Sequence, residues 1–275
     1  EGLVRTPEDF GSQGSPPTHP ELLDWLARDF IDHDWDLHHL LKQLVLSATY
    51  RQSTVVDRTM RERDPENHYL ARSYGHRLPA EMIRDNALAV SGLLVEQLGG
   101  PPVKPYEVEA SFAPAKADHG DGLYRRSLYT WWKRNAPAPV MVTFDAAKRD
   151  VCTVRREPTA SPLQSLVLLN GPQFTEAARV LGARMVQTYV DDVQAIVEES
   201  FRILTSRRPE PDEVAILGDL FREQEAEFRE HPDLPQQLLS VGQAPCDPSL
   251  PKPAVAAATV LVNTILNLDE SINQR

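Results

Sequence analysis

Only two cysteines, Cys152 and Cys246, occur in 275 residues. They are too few for a disulfide framework, a thiolate zinc set or a Cys-x-x-Cys-His haem attachment, and their spacing leaves open whether they pair. Long apolar runs are missing as well. The longest near the C-terminus, Val255 to Val262, falls far short of the ~20 residues that span a bilayer, so no membrane span is expected. The chain starts at Glu1 without a charged-then-apolar leader, which places any targeting signal outside it. Also absent are His-Glu-x-x-His, an Asp-rich calcium loop, a Walker loop and Gly-x-Ser-x-Gly. No metal site is therefore expected, and no catalytic residues can be assigned.

What is present is ordinary for a globular protein: 41% hydrophobic and 25% charged residues. A core of useful size can be buried, in one large or two small domains; the expectation is a single module, 1–275, cut from a larger protein. Lys and Arg total 29 against 40 Asp and Glu, a net charge of −11. Such a surface repels phosphate backbones and argues against nucleic acid as a partner.

Helical signals dominate both ends. Thr18-His-Pro-Glu21 has capping-box spacing, and Leu22, Leu23, Trp25, Leu26, Phe30 and Ile31 follow at helical intervals. Asp36 reads as the cap of a second helix with Leu37, Leu40, Leu41, Leu44, Val45 and Ala48 as its stripe. Asp64-Pro65 predicts a short helix through about Ala71. A longer one is expected from Pro79 to Leu98, ended by Gly99-Gly100-Pro101-Pro102. Beyond 160, Ser161-Pro-Leu-Gln164 is again a capping box, opening what reads as the most buried helix, Leu163 to Leu169. Helices are also expected over Pro172–Tyr189, Asp191–Leu204, Pro211–Glu230 and Ala254–Leu268. The fold class is mainly α: a bundle-like helical core, 18–98 and 161–275, around a long irregular, Pro-rich insert at 99–160. Short extended segments are expected in the insert at Val140–Phe144 and Val151–Val154.

The insert carries the most distinctive chemistry. Between Arg125 and Arg156 stand Arg125, Arg126, Lys133, Arg134, Lys148, Arg149, Arg155 and Arg156 against Asp145 and Asp150, a net +6. The rest of the chain holds 21 basic and 38 acidic residues, a net −17. Interleaved with the cations are Tyr129, Trp131 and Trp132. Guanidinium forks suit carboxylate or sulfate, and aromatic faces stack on rings. Arg125, Arg126, Tyr129, Trp131, Trp132, Lys133, Arg134, Asp145, Arg149, Arg155 and Arg156 are thus the candidate ligand-binding residues. The alternative is that these arginines pair with acidic helices and pin the insert to the core.

Three further groups are less informative. Cys152 lies near Arg149, but it lacks a nearby His and is flanked by Val151 and Val154, which reads as a small core residue. His33, His38 and His39 cluster at the first helix–helix turn. Adjacent residues diverge by about 100° on a helix, so no metal-type pair is expected from His38 and His39. Arg77, Glu81, Arg84 and Asp85 read as intrahelical ion pairs.

Several strings recur together in order: Thr6-Pro-Glu-Asp-Phe10, His19-Pro-Glu-Leu-Leu-Asp-Trp-Leu26, Ser47-Ala-Thr-Tyr-Arg-Gln-Ser53, Arg77-Leu-Pro-Ala-Glu81, Val151-Cys-Thr-Val-Arg-Arg156 and Pro162-Leu-Gln-Ser-Leu-Val-Leu-Leu-Asn170. The series resembles the planctomycete-type domain of unknown function 1553 (DUF1553, PSD1 family) over nearly the whole chain. The resemblance implies the C-terminal module of large exported proteins, with a second domain of unknown function (DUF1549) upstream and often a cytochrome c-like module before that. It further implies an extracytoplasmic location and a link to electron transfer or to breakdown of complex, often sulfated, polysaccharides. It supplies no catalytic residues. With no haem motif in this chain, no cofactor is expected in it, and any haem belongs to an upstream module.

Three functions are compatible with these features. The chain could be an accessory module that docks on the upstream domain and binds an anionic glycan, part of a composite redox or hydrolytic enzyme, or a structural scaffold. A binding module calls for the arginines to meet on one exposed concave surface beside Trp131 or Trp132. An enzyme calls for a deep pocket of ionisable groups, and a scaffold for arginines buried against carboxylates.

Overall fold

The computed structural model describes residues 2–107, 116–133, 136–149 and 151–274. The architecture is mainly α, as expected, with twelve helices and two two-residue strands, β1 (His76–Arg77) and β2 (Asn273–Gln274), among the described residues. The chain gathers into two compact units, one from residues 1–76 and 273–275 and the other spanning Arg77–Ile272.

The first unit contains α1 (Pro20–Asp32), α2 (Leu37–Leu46) and α3 (Arg58–Arg63). Asp36 caps α2 as its sequence suggests, accepting from the N–H groups of His38 and His39 at 2.8 and 3.3 Å. The Thr18 capping box does not form. α1 starts one residue later, after His19, because Pro20 takes the first helical position, where its fixed φ fits and its missing N–H costs nothing; Thr18 instead bonds through its N–H and hydroxyl to the Leu3 carbonyl. The helix expected after Asp64 is absent as well. α3 ends at Arg63 with Asp64 as its C-cap, and the Asp64 carboxylate accepts from the N–H groups of His68 and Tyr69 at 2.8 and 2.9 Å. Asn67 and Leu70 adopt left-handed φ values of 55° and 51° that no helix continues through. Asp64 and Asn67 are buried in this unit, but none of its described apolar residues is, and Trp25, Leu37, Leu41 and Leu44 stand exposed.

The second unit is built on α7 (Pro172–Thr188) and α11 (Lys252–Leu266), packed on each other and flanked by α6 (Pro162–Asn170), α8 (Val193–Thr205) and α9 (Pro211–Glu230). Eleven of the fifteen α11 residues are buried, so this helix, not α6, is the centre of the core. α6 has its capping box, with the Ser161 N–H donating to Gln164 Oε1 at 3.3 Å, yet buries only Gln164 and Leu168; Leu163, Leu166 and Leu169 face outward. Gly182 lets α7 approach α11 closely: a Cβ there would lie 2.9 Å from the Ala258 carbonyl carbon. A second apolar cluster joins Ala80, Ile83 and Ala87 of α4 (Ala80–Ser91) to Met141, Phe144, Leu168 and Phe174. α4 stops at left-handed Gly92, φ 84°, well before Gly99, and leaves Met82 and Leu98 exposed. Val140–Phe144 is not extended. Pro139 starts a short helix, α5 (Pro139–Thr143), which aims Met141 and Phe144, three residues apart, into the same cluster. Val151–Val154 forms no strand and is exposed. The unit also holds α10 (Asp233–Leu239), which the sequence reading passed over, and α12 (Asp269–Ile272).

Candidate functional site

The site grows from α4. Arg84, 1% exposed, donates to the carbonyls of Arg125 and Leu123, to Ser127 Oγ at 3.1 Å and to Gln173 Oε1 at 2.7 Å. Its neighbour Asp85 accepts from the Ser127 N–H at 2.7 Å. Together they fix residues 123–127 of the irregular insert to α4. Arg125 then turns inward and donates to the carbonyls of Gln97, Gly99 and Pro101, with its guanidinium 4.0 Å from the Tyr129 ring centre. Tyr129 Oη accepts from the Gly99 N–H at 2.8 Å. Backbone bonds from Val103 N–H to the Tyr129 carbonyl and from Trp131 N–H to the Val103 carbonyl tie the two stretches side by side.

Against this base opens a cleft of about 530 Å³ lined by Gly100, Pro102, Leu128, Tyr129, Thr130, Trp132 and Arg149. The Trp132 indole N–H donates to the Lys148 carbonyl at 2.8 Å, which fixes the ring, and the Arg149 guanidinium lies 5.0 Å from the Trp132 ring centre. Among the described residues no carboxylate lies within ion-pair distance of Arg149, which is exposed. A cation over an indole, solvated on its outer side, can grip an anionic group on a ring laid against the Trp face.

The candidate residues are thus distributed unevenly. Tyr129, Trp132 and Arg149 line the cleft. Trp131 lies next to it, with Lys104 Nζ 5.4 Å from its ring centre. Arg125 is buried and committed to backbone carbonyls. Arg126 is half exposed, 3.8 Å from Asp85. Arg156 holds Glu81 with two hydrogen bonds of 2.6 and 3.0 Å. Arg155 is exposed, Lys133 is partly buried, and Arg134 lies outside the described residues. Asp145, at a left-handed φ of 59°, accepts from Arg77, from the Thr159 N–H and from the Thr159 hydroxyl. Burial raises the Asp145 pKa, but the Thr159 N–H and the Arg77 guanidinium outweigh it and hold the carboxyl below its ordinary value. Glu81 behaves alike: burial opposes, Arg156 prevails, and the carboxyl is lowered.

Two expectations are corrected by these contacts. Among the described residues the charges around the start of α4 do not pair at i, i+3 or i, i+4; the contact along the helix is between neighbours, Arg84 and Asp85, 3.6 Å apart. Arg77 goes to Asp145, Glu81 to Arg156 and Asp85 to the Ser127 backbone, because the irregular segment offers better-placed partners than the next helical turn. Cys152 is an exposed free thiol rather than a core residue, and Cys246 is free too. Gly100, Pro102, Leu128 and Thr130 were missed in the sequence; the Gly-Gly-Pro-Pro string, read as a helix stop, was the signal for the first two, and Leu128 and Thr130 had none.

A second hollow of about 140 Å³ beside Tyr124 and Glu176 is structurally committed. Glu176 Oε1 accepts from the Tyr124 hydroxyl and from the Gln243 and Ala244 N–H groups and so holds the 243 loop on α7.

Fold and cleft together define a mainly α domain with an open, solvent-facing aromatic and guanidinium site. Residues 1–221 match the model of PSD1, protein of unknown function (DUF1553), and the chain belongs to that family. No curated protein and no solved structure matches it.

Proposed function

We propose that the chain is an accessory binding module whose cleft takes one ring of an anionic polysaccharide against Trp132, with Arg149 holding its sulfate or carboxylate. What supports this is the Arg149–Trp132 pair: the cation is exposed, lies over the indole and has no carboxylate within ion-pair distance among the described residues, while the neighbouring Arg125 and Arg156 are already engaged. The acidic remainder of the chain discourages binding of polyanions elsewhere on the surface. An extracytoplasmic location and docking on an upstream domain of the same protein belong to the same reading. The exposed apolar side chains of α1 and α2 provide surface for that docking.

Calorimetric titration of the 275-residue chain with sulfated, uronate-containing and neutral oligosaccharides of equal length tests it. The anionic ligands bind and the neutral ones do not. Arg149→Ala weakens binding about ten- to hundredfold, the value of a charge-assisted hydrogen bond, and Trp132→Ala has a comparable effect. Equal binding of neutral and sulfated ligands, or an unaffected Arg149→Ala variant, refutes the assignment.

A further inference from the structure

A second site lies in the first unit, in the turn that joins α1 to α2. Asp29 lies in the last turn of α1, His33 four residues on is the C-cap of that helix, and His39 is in the first turn of α2. One ligand atom from each lies within 4.8 Å of the others. His33 Nδ1 is 3.4 Å from Asp29 Oδ1, and His39 Nε2 is 3.2 Å from Asp29 Oδ2. Nitrogen and oxygen donors at roughly 2.1 Å from one ion sit ~3.0–3.4 Å from each other in octahedral or tetrahedral arrangements, so the two imidazole–carboxylate separations, one to each Asp29 oxygen, already have that span.

The scaffold under these side chains is rigid for a reason separate from the ligands. Asp34 and Trp35 take left-handed φ values of 52° and 62°, Trp35 N–H bonds to the Phe30 carbonyl at 2.9 Å, and the Trp35 ring packs edge-on to Phe30. Asp36 then fixes the backbone of His39 itself through the α2 cap. The tight turn, rather than helical periodicity, brings His33 onto His39, so the rings lie nearly parallel with centres 3.8 Å apart. That is why neighbouring positions 38 and 39 gave no metal signal in the sequence: the partner of His39 is six residues back, across the turn.

We infer that Asp29, His33 and His39 form a binding site for a divalent transition-metal ion, with water completing the coordination. Two imidazoles and one carboxylate favour zinc, cobalt, nickel or copper over calcium and magnesium, which take oxygen donors. Asp29 and His39 are the less exposed ligands, at 14% and 30%, and hold their places. His33, 47% exposed, turns its ring out of the stack so that its in-plane lone pair meets the ion. His33 Nδ1 and the His33 backbone N–H both bond to the Asp29 carbonyl, at 2.8 and 3.0 Å. When Nδ1 binds metal, the ring proton resides on Nε2, and the carbonyl keeps its backbone donor, so no buried group is left unpaired.

The test is titration of the tag-free 275-residue chain with Co(II), followed by visible absorption and then by displacement with Zn(II). One Co(II) per chain binds with ligand-field bands, and Zn(II) abolishes them. His39→Ala and the surface change His33→Gln each weaken binding at least about tenfold, since even outer-shell partners are worth that much. His38→Ala, one position away and outside the cluster, binds as the parent does. Far-ultraviolet dichroism confirms that each variant keeps its helices, and His33→Gln, on an exposed side chain, serves if His39→Ala does not fold. Absence of Co(II) bands in the parent, or parent-like affinity in folded His33→Gln, overturns the inference.

Discussion

Arg125 and Arg126 are neighbours of the same type, yet one is buried under the insert and the other reaches solvent. In locally extended backbone successive side chains point to opposite sides, so a run of paired arginines divides between bracing and exposure, and composition alone cannot assign which is which. The sequence therefore showed where positive charge concentrates, but not that Arg149 would meet Trp132. Arg84 shows the cost of a bracing cation. Arg84→Leu leaves several buried acceptors unpaired and should destabilise the protein by about 3 kcal/mol, read as a lower urea midpoint at unchanged slope. Arg84→Lys should not restore it, because an ammonium cannot reproduce the fork that reaches Leu123, Arg125 and Gln173 together. Asp145 adds a pH dependence. Its folded-state pKa lies below the unfolded value of roughly 3.9. Its contribution is therefore complete above that value and disappears as pH falls through the folded pKa. Urea midpoints measured from neutral pH to strong acid should fall more steeply below about pH 4 in the parent than in Asp145→Asn.

Among the elements, those fixed by local chemistry were legible. α9 spans Pro211–Glu230 as its sequence indicates, with Pro at the first position and Glu213 accepting from the Glu210 N–H, and Asp36 caps α2. Those fixed by burial were not. Val140-Met-Val-Thr-Phe144 has β-type composition, but the gain from seating Met141 and Phe144 beside α4 and α7 decides for a helix. The apolar α6 run likewise hid its orientation, since nearly every residue could have faced inward. The α7–α11 contact is a matter of close approach. Gly182→Val should push the helices apart and cost about 1–3 kcal/mol, measurable by thermal or chemical unfolding, whereas a comparable change at exposed Gln187, Gln187→Val, should have a small effect.

At the scale of the whole molecule, both apolar clusters lie between residues 77 and 272. A fragment of Arg77–Ile272 should thus unfold cooperatively, with a midpoint within a few degrees of the parent; non-cooperative melting of that fragment would show that the core depends on the rest of the chain. The sequence did not reveal this division, because both units are made of well-marked amphipathic helices. Only packing tells them apart: α7 and α11 cover each other, while the stripes of α1 and α2 have no described apolar partner that buries them.

The placement of α11 also bears on how the protein is made. Its neighbours α6, α7, α8 and α9 all emerge from the ribosome before it, and chains are extended at only roughly 5–20 residues per second. Throughout that interval Leu181, Phe201 and Phe221 lack the surface that later shields them. Nascent chains should accordingly engage chaperones until α11 is released, and a stall just upstream of Lys252 should yield aggregates rather than a shortened native domain.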